Sequence, residues 1–362
     1  MKNRLEVKTE SEQTYPVIIE DTWPGSEYFP ESDKLLIVID QNVARHYGDE
    51  LSAHFESFGS EILWYEVPFG ESSKSIDQYS RIIDYALKNR VRRNTPLVAV
   101  GGGVTGDLAG FAAASILRGL PLYHLPTTLL AMVDSSIGGK TGINHTTGKN
   151  LIGAFYQPEL VWANMQILET LPHSEWNCGM GEVLKYGCIS NHDLLDSAEK
   201  IFDSPDLGDR ANLKRVIEES ARIKIDIVSR DEKESGIRAY LNFGHTFAHA
   251  IEAFTGYTRY SHGEAVFVGL VAALWLSEQK GAPVSAEPLI RFARYYKLNT
   301  LDLCSSVKEL VSLMGSDKKN LTSKIRLVTL SDWQNAQIVE LEDTGLLESA
   351  FQYALERVHN PA

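Results

Sequence analysis

Histidine and carboxylate residues in the second half of the chain have the spacing of metal ligands. The segment NFGHTFAHAIEAF places His245 and His249 four residues apart, on one face of a helix, and SHGEAV adds His262 and Glu264. Neutral imidazole and carboxylate are preferred by a catalytic zinc-like ion. Spacing alone favours His245 and His249 as the ligand pair; the alternative is that one or both are core or capping histidines. Upstream, CGMGEVLKYG carries Glu182 on a predicted helix.

A glycine-rich turn follows an apolar run in the first half. After PLVAV comes GGGVTGDLAG, in which Gly101, Gly103 and Gly106 fit GxGxxG where a strand should pass into a helix. Backbone N–H groups at such a turn bind a pyrophosphate. An ordinary dinucleotide motif lies on the first strand, with an acidic residue about twenty positions later, whereas here the first acid after Asp107 is Asp134. A tight turn without a ligand is the alternative.

Two other segments place polar residues where predicted strands end. VIDQNV carries Asp40 and Asn42, and a carboxylate at this position accepts hydrogen bonds from an adenosine ribose. GESSK adds Glu71 and Lys74 after the next strand, at the same edge of the sheet. Taken singly, each is more typical of a solvated loop residue.

The segment 126–158 is dense in Gly, Thr, Ser, Asn and Lys. Loops of this composition bring backbone donors and ammonium groups onto phosphate oxygens, and Lys140, Lys149 and Asn150 are the candidates. A flexible surface loop is the alternative. Apolar LLAMV and aromatic AFY bracket the loop and are expected to hold it against the protein.

The elements that must position these residues alternate in the first half of the chain. Amphipathic segments separate the apolar runs 34–40, 61–68, 96–103 and 120–128. This predicts an α/β fold, with a Rossmann-like parallel-sheet NAD domain at 1–175. Beyond it, amphipathic helical segments dominate and predict a mostly α-helical metal- and substrate-binding domain at 176–362, with the active site in the cleft between the two.

Charge and composition exclude several classes of protein. The 362 residues include 35 Lys+Arg and 48 Asp+Glu, and the net charge of -13 argues against nucleic acid or an anionic membrane as the main partner. An anionic ligand therefore needs a local basic cluster. Three cysteines without a CxxC pair indicate neither a disulfide framework nor a thiolate zinc site. With no apolar tract of spanning length, we expect a soluble cytoplasmic protein.

Several segments together resemble the 3-dehydroquinate synthase family, a branch of the sugar phosphate cyclases. They are GGGVTGDLAGF, LPTTLLAMVDSSIGGKTGIN, GKNLIGAFYQP, GEVLKYG, RDEKESGIRAYLNFGHTFAHAIE, SHGEAV and DKKN, in family order from about residue 97 to 320. The resemblance implies a dehydroquinate synthase-like fold and a zinc or cobalt ion held by Glu182, His245 and His262. It also assigns His249 to help remove a substrate hydroxyl proton through water. Gly181 departs from the alanine usual in the family, and its backbone freedom is expected to loosen the turn holding Glu182.

The resemblance also implies the remaining site residues. The nicotinamide site corresponds to Asp40, Asn42, Glu71, Lys74, Gly102, Gly103, Val104, Asp107, Thr127, Thr128, Asp134, Lys140, Lys149 and Thr170. Substrate contacts correspond to Lys140 and Asn150 near the phosphate, Lys185 near the ring hydroxyls, and Lys224, Arg238 and Asn242 toward the carboxylate. Arg118 matches an arginine that reaches the phosphate of a neighbouring subunit, which implies a homodimer. Lys318 or Lys319 closes over the phosphate.

The implied reaction converts 3-deoxy-D-arabino-heptulosonate 7-phosphate to 3-dehydroquinate and phosphate, the second step of the shikimate pathway. NAD oxidises C5 and is regenerated, and the metal polarises substrate oxygens. Cyclases acting on an amino analogue, sedoheptulose 7-phosphate or glucose 6-phosphate are alternatives, although the cluster Lys224, Arg238 and Asn242 favours a carboxylated substrate. A metal-dependent polyol dehydrogenase is a further alternative and would release NADH. A non-catalytic binding protein would be expected to lack at least one metal-ligand or acid/base residue, and the sequence shows no such loss.

Overall fold

The computed structural model describes residues 4–203, 209–315 and 324–360, and the chain divides into two compact units. The first comprises Met1–Pro172 and Ile217–Lys233, and the second comprises His173–Val216 and Glu234–Ala362. The sequence boundary between residues 175 and 176 stays a proposal about folding domains. The segment Ile217–Lys233 belongs to the first unit, although the predicted boundary would place it in the second domain. Helical periodicity identifies the buried face of such a segment but not the unit against which that face packs.

Strands and helices alternate in the first unit. The strands are β1 (Arg4–Lys8), β2 (Thr14–Glu20), β3 (Lys34–Asp40), β4 (Glu61–Val67), β5 (Leu97–Gly101), β6 (Leu122–Pro126), β7 (Lys140–His145), β8 (Gly148–Phe155) and β9 (Leu160–Asn164). The helices are α1 (Gln41–Glu56), α2 (Ile76–Lys88) and α3 (Gly103–Ser115). The described strands of the main sheet have the order β1-β2-β9-β6-β5-β3-β4, and all neighbours are parallel except β1 and β2. The predicted parallel-sheet fold is therefore confirmed.

Continuous apolar runs make the central strands because both faces of the sheet are covered. In β3, Leu36 and Val38 belong to a core on one face, while Leu35, Ile37 and Ile39 belong to a core on the other. Each is at most 2% exposed. A strand buried on both faces needs apolar residues at successive positions, which is the pattern that predicted it.

The strand order creates a switch point between β3 and β5. From β3 the chain moves to β4 on one side, and from β5 it moves to β6 on the other. Ligands of open α/β sheets bind at the carboxyl ends of strands where the connections diverge in this way. Asp40 ends β3 and Gly101 ends β5, so the two predicted nucleotide-binding segments lie at the switch point.

The glycine-rich segment 126–158 is more regular than the predicted loop. It contains a π-helical turn at Ala131–Ser135 and the antiparallel hairpin of β7 and β8. Gly142 pairs with Gly153, and a Cβ at Gly153 would come within 2.1 Å of the Thr141 carbonyl oxygen. Glycine therefore permits a close strand pairing here, which composition alone does not distinguish from a loop.

The second unit is mostly helical. Its helices are α4 (His173–Ile189), α5 (Asp193–Asp203), α7 (His245–Phe254), α8 (His262–Gln279), α9 (Glu287–Ile290), α10 (Ala293–Tyr296), α11 (Leu301–Cys304), α12 (Val307–Gly315) and α13 (Thr344–Val358), and its strands are β10 (Ile325–Asp332) and β11 (Asn335–Leu341). Helix α6 (Arg210–Arg230) is shared, because its residues 210–216 belong to the second unit and the rest belong to the first. The antiparallel pair of β10 and β11 was not predicted. Helix α8 is buried nearly all round, as expected of a core helix. In the described ranges, no helix combines the length and apolarity needed to cross a membrane.

Candidate metal centre and nucleotide site

Three side chains on three helices of the second unit converge on one point. Glu182 lies within α4, His245 begins α7 and His262 begins α8. The Nε2 atoms of both histidines lie 3.3 Å from Oε1 of Glu182. The ligand atoms of the three residues all lie within 4.8 Å of one another, and no other such group occurs in the described parts of the chain.

Close packing of α4 against α8 brings Glu182 beside His262. A Cβ at Gly263 would come within 2.1 Å of the Cys178 carbonyl oxygen, and a Cβ at Gly181 would come within 2.5 Å of the Gly263 carbonyl oxygen. The two helix backbones therefore touch at these glycines. Gly181 was expected to loosen a first turn, but it lies in the interior of α4 at the point of closest approach.

Two acceptors behind the histidines orient their rings. The Phe243 carbonyl lies 3.2 Å from Nδ1 of His245, and Oε1 of Glu252 lies 3.5 Å from Nδ1 of His262. In the neutral form of either ring, an acceptor at Nδ1 holds the remaining proton there and leaves Nε2, which faces Glu182, as the nitrogen that can bind a cation. Glu252 is only 4% exposed. It was not predicted, although its position seven residues after His245, on the same face of α7, was an available signal.

Buried charges around Glu182 shift the protonation of all three candidate ligands. Burial raises the pKa of Glu182, but the Lys185 ammonium and His245 outweigh it and hold that pKa well below its ordinary value. Burial lowers the pKa of His245, against the opposing effect of Glu182. Burial also lowers the pKa of His262, but hydrogen bonds to Glu182 and Glu252 raise it to about 10.

The donor set fits a divalent zinc-like cation. A carboxylate oxygen and a nitrogen lone pair repel each other at 3.3 Å unless a proton or a cation lies between them. Catalytic zinc sites use three nitrogen and oxygen ligands of this kind and keep one position open. The convergence of Glu182, His245 and His262 is therefore suited to hold such an ion.

Two residues singled out by spacing lie outside this group. His249 is exposed, and its ring centroid is 5.7 Å from that of His245, so it stands beside the three-residue cluster. Glu264 instead forms a capping box at the start of α8: its Oε2 accepts from the Ser261 backbone N–H at 2.7 Å, and its own N–H donates to Ser261 Oγ at 3.3 Å. Glu264 therefore stabilises the helix that carries His262.

Three predicted substrate contacts also lie in the second unit. Lys185 and Arg238 are each 1% exposed, and Lys185 forms an ion pair with Glu182 on the same turn of α4. Asn242 donates from Nδ2 to Glu234 Oε1 at 2.8 Å. Lysine and arginine are almost never fully buried unless they are paired, so two such cations are unusual in a helical core.

At the switch point of the first unit, Asp40 has a structural contact in addition to its predicted ribose contact. Its Oδ1 accepts from the backbone N–H of Asn42 at 2.8 Å and from that of Val43 at 3.4 Å. This is an N-cap, and it starts α1 directly after β3.

The glycine turn joins β5 to α3 as predicted. Gly102 is the extended N-cap residue and Gly103 the first helical residue, followed by Val104. A Cβ at Gly102 would come within 3.0 Å of Thr128 Cγ2, so glycine permits the close approach of these segments. The backbone N–H of Thr127 donates to the Gly101 carbonyl at 3.0 Å and ties the ends of β5 and β6 together.

A compact polar cluster lies beyond the glycine turn in the same unit. Nζ of Lys74 contacts Asp107 Oδ2 and Asn150 Oδ1. Burial raises the pKa of Asp107, while Lys74 opposes the shift. Glu71 accepts from Nδ2 of Asn144 at 2.7 Å. The structure therefore brings together Glu71, Lys74, Asp107 and Asn150.

Another predicted substrate residue lies beside a predicted cofactor residue. Nζ of Lys224, on the part of α6 within the first unit, donates to the Asp134 carbonyl at 2.8 Å and lies 2.9 Å from Asp134 Oδ2. Lys224 is 6% exposed. Thr170 is also a predicted cofactor residue, and its Oγ1 donates to the Tyr47 hydroxyl at 3.2 Å.

The remaining predicted cations lie near the hairpin or beyond the described residues. Lys140 is exposed at the start of β7, and Lys149 is half-buried in β8. Arg118 is exposed and has a φ of 67°, directly after Leu117 with a φ of 51°. Two consecutive left-handed non-glycine residues are strained, and such strain concentrates at functional positions. Lys318 and Lys319 lie outside the described residues.

Family models match most of the chain. The model described as 3-dehydroquinate synthase N-terminal matches residues 64–178, and the model described as 3-dehydroquinate synthase C-terminal matches residues 179–320. The chain is 44% identical over 350 residues to the 3-dehydroquinate synthase of Salinibacter ruber, an alignment covering 96% of this chain and 94% of that protein.

Solved structures share the fold over nearly the whole chain. The 2-epi-5-epi-valiolone synthase from Streptomyces hygroscopicus, solved with NAD+ and Zn2+ bound, has a TM-score of 0.87 at 25% identity, covering 96% of this chain and 98% of that one. A 2-deoxy-scyllo-inosose synthase complexed with carbaglucose-6-phosphate, NAD+ and Co2+ has a TM-score of 0.83 at 23% identity, covering 97% of this chain and 99% of that one. The second similarity is evidence for the fold alone.

Proposed function

The chain belongs to the 3-dehydroquinate synthase family, and from that premise we propose how its residues divide the work of the reaction. The chain is a carbon–oxygen lyase that converts 3-deoxy-D-arabino-heptulosonate 7-phosphate to 3-dehydroquinate and phosphate. One observation carries the assignment of the site: Glu182, His245 and His262, which are distant in sequence, meet at one point within the family-matched region.

NAD and a divalent metal, zinc or cobalt, are the cofactors. When bound, NAD accepts and returns a hydride while the metal acts as a Lewis acid on substrate oxygens. Glu182, His245 and His262 hold the metal. The residues proposed to hold NAD are Asp40, Asn42, Glu71, Lys74, Gly102, Gly103, Val104, Asp107, Thr127, Thr128, Asp134, Lys140, Lys149 and Thr170. Support comes from the switch point between β3 and β5, where Asp40 and the glycine turn lie.

In the second unit, we assign four residues to substrate handling. Arg238 and Asn242 orient the carboxylate, for which a planar guanidinium offers paired donors. Lys185 donates to ring hydroxyls, and His249 relays a proton between a substrate hydroxyl and solvent through water. The exposure of His249 supports a proton path to solvent, and the burial of Lys185 and Arg238 supports recognition of an anion away from bulk water.

In the first unit, we assign Lys140 and Asn150 to the phosphate and Lys224 to the carboxylate end. These residues position an anionic substrate, which contributes through proximity rather than through proton transfer. Support comes from the exposure of Lys140 at the start of β7. Lys318 belongs to the same proposal, and Lys319 is its alternative.

We further propose a homodimer in which Arg118 reaches the phosphate site of the partner. Support comes from the strained, exposed conformation of Arg118 and from Leu151 and Phe155 of β8, which are 36% and 45% exposed. Light scattering after size exclusion tests the assembly. Mixing the Arg118→Ala and Glu182→Ala variants tests the shared site, because a hybrid dimer regains one intact site and hence activity. We also assign the enzyme to the cytoplasm, in keeping with its three free cysteines.

The experiment that tests the proposed function follows phosphate release from the heptulosonate phosphate in the presence of NAD and zinc or cobalt. We expect turnover that a chelator abolishes and added metal restores, with dehydroquinate formed and no net accumulation of NADH. Net NADH formation would instead identify a polyol dehydrogenase.

Substrate competition separates the cyclase alternatives. Sedoheptulose 7-phosphate and glucose 6-phosphate lack the carboxylate for which Lys224, Arg238 and Asn242 are proposed, so neither is expected to be turned over. Turnover of either one in preference to the heptulosonate would overturn the substrate assignment. The amino analogue retains the carboxylate, and relative kcat/KM decides between it and the oxygen form.

A further inference from the structure

The β7–β8 hairpin is irregular beside the polar cluster of the first unit. Ile143 pairs with Ile152 and His145 with Gly148, so the register shifts at Asn144. On the opposite strand, Asn150 has a φ of 54°, a left-handed conformation that is uncommon for residues other than glycine. Bulges of this kind redirect a side chain and recur next to active sites. Here the redirected side chain is that of Asn150.

Asn144 makes three hydrogen bonds that hold this irregularity in place. Its Oδ1 accepts from the Asn150 backbone N–H at 3.0 Å, in place of a backbone partner on the opposite strand. Its Nδ2 donates to Glu71 Oε1 at 2.7 Å, and its own backbone N–H donates to the Lys74 carbonyl at 2.8 Å. Asn144 thereby links the hairpin to the 3₁₀ turn at Glu71–Ser73.

The contacts form a closed ring. Lys74, held through its carbonyl by Asn144, extends Nζ to the side chain of Asn150 and to Asp107. Asn150 is in turn held through its backbone by the Asn144 side chain. Lys74 is 5% exposed, so its ammonium depends on these partners to be accommodated. Displacement of Asn144 would therefore move Glu71, Lys74 and Asn150 together.

We propose that Asn144 is a positioning residue that sets the geometry of Glu71, Lys74 and Asn150 for NAD and for the substrate phosphate. The inference rests on the proposed function, which assigns those three residues to the two ligands. An amide is required because Asn144 must donate to Glu71 and accept from Asn150 with the same group. A carboxylate at this position accepts only, and it would face the Glu71 carboxylate with like charge.

The test substitutes Asn144→Asp and measures NAD binding by calorimetry without turnover, together with steady-state kinetics and thermal unfolding. We expect the Kd for NAD to rise by about tenfold, because the variant loses the hydrogen bond to Glu71 and places a second negative charge beside it. The KM for NAD should rise in parallel. Because Asn144 contacts neither reacting atom nor metal ligand, kcat should fall by less than about threefold. The matched control is Asn89→Asp, since the Asn89 side chain donates to the Tyr85 carbonyl at the end of α2. That variant should leave the Kd for NAD unchanged.

A charge-swapped double variant, E71Q/N144D, makes the test specific. It exchanges donor and acceptor across the same pair and keeps an acceptor for the Asn150 N–H. We expect the double variant to bind NAD at least as tightly as E71Q alone, whereas N144D alone binds about tenfold more weakly than the wild type.

The outcomes separate this inference from the function on which it rests. The positioning role is overturned if N144D has an unchanged Kd for NAD, or if the double variant binds NAD more weakly than E71Q alone. In either case the proposed function still stands if the wild type binds NAD and releases phosphate. A lower melting temperature with unaltered Kd and KM shows a purely structural role and also overturns the positioning role. If the wild type neither binds NAD nor releases phosphate, the proposed function itself fails.

Discussion

The candidate metal centre and the candidate nucleotide site balance their charges in different ways. In the second unit, a carboxylate oxygen and two imidazole nitrogens point toward one another, an arrangement that needs positive charge at the shared point. In the first unit, the cations already face anions, Lys74 with Asp107 and Lys224 with Asp134. The candidate metal centre therefore needs a proton or a metal ion at its shared point, whereas at the candidate nucleotide site each of these lysines is already paired with an aspartate.

The largest effect is expected from Glu182→Ala, which breaks the metal side of this comparison. It removes a proposed metal ligand and also the carboxylate beside the buried Lys185, and breaking a buried ion pair costs about 3–5 kcal/mol. Urea unfolding should show this loss, and zinc should no longer raise the midpoint. The double variant E182A/K185M should regain much of the stability but not the zinc response. Equal instability of both variants would contradict the account of the pair.

A smaller effect is expected from Glu252→Ala, which leaves all three proposed ligands in place. Partners behind metal-bound histidines typically contribute 10- to 100-fold in affinity, so zinc should bind more weakly by about that factor. Competition with a chromogenic chelator measures the change. Glu252→Gln should lose less, because its amide oxygen still accepts from His262. Glu278→Ala, at the far end of α8, is the control and should bind zinc like the wild type.

Binding of the metal should release a proton from His262. Its pKa is raised to about 10, so the metal-free protein carries that proton at neutral pH. A raised pKa contributes stability that is fully present below the ordinary value and is lost as the pH rises through about 10. Because this proton competes with zinc, the zinc affinity should rise by up to about tenfold for each unit by which the pH is raised, until the pH reaches about 10. Calorimetry in buffers of different ionisation enthalpy counts the protons, and a count near zero would contradict the shift.

The smallest effect on stability is expected at Asp40, where capping and cofactor binding are separable. Asp40→Asn keeps an N-cap and should change the free energy of unfolding by only a few tenths of a kcal/mol, whereas Asp40→Ala should cost about 1 kcal/mol. Both variants lose the carboxylate and should bind NAD more weakly, by about tenfold. If Asp40→Asn binds NAD like the wild type, the proposed ribose contact is absent.

Elements with strong local patterns were predictable, and those with weak patterns were not. The apolar run of β3 predicted a doubly covered strand, which the structure confirms. β1 was missed because one of its five residues is buried, and β2 because its buried apolar run, Val17, Ile18 and Ile19, is short and follows a proline. The β7–β8 hairpin was predicted as a loop because glycine and polar residues dominate it. Such strands derive their stability from cross-strand pairing and from packing on neighbouring elements, which local propensity does not record.

The sequence by itself determined the local arrangements: His245 and His249 share a helical face, Asp40 can cap the helix that follows its strand, and the glycine turn joins a strand to a helix. Only the tertiary structure decided which of these residues meet. Glu182 reaches His262 because α4 and α8 touch at Gly181 and Gly263, and Asn144 reaches Glu71 because the hairpin folds against the turn after β4. Helical and strand periodicity act over a few residues, whereas these meetings depend on packing between segments far apart in the chain.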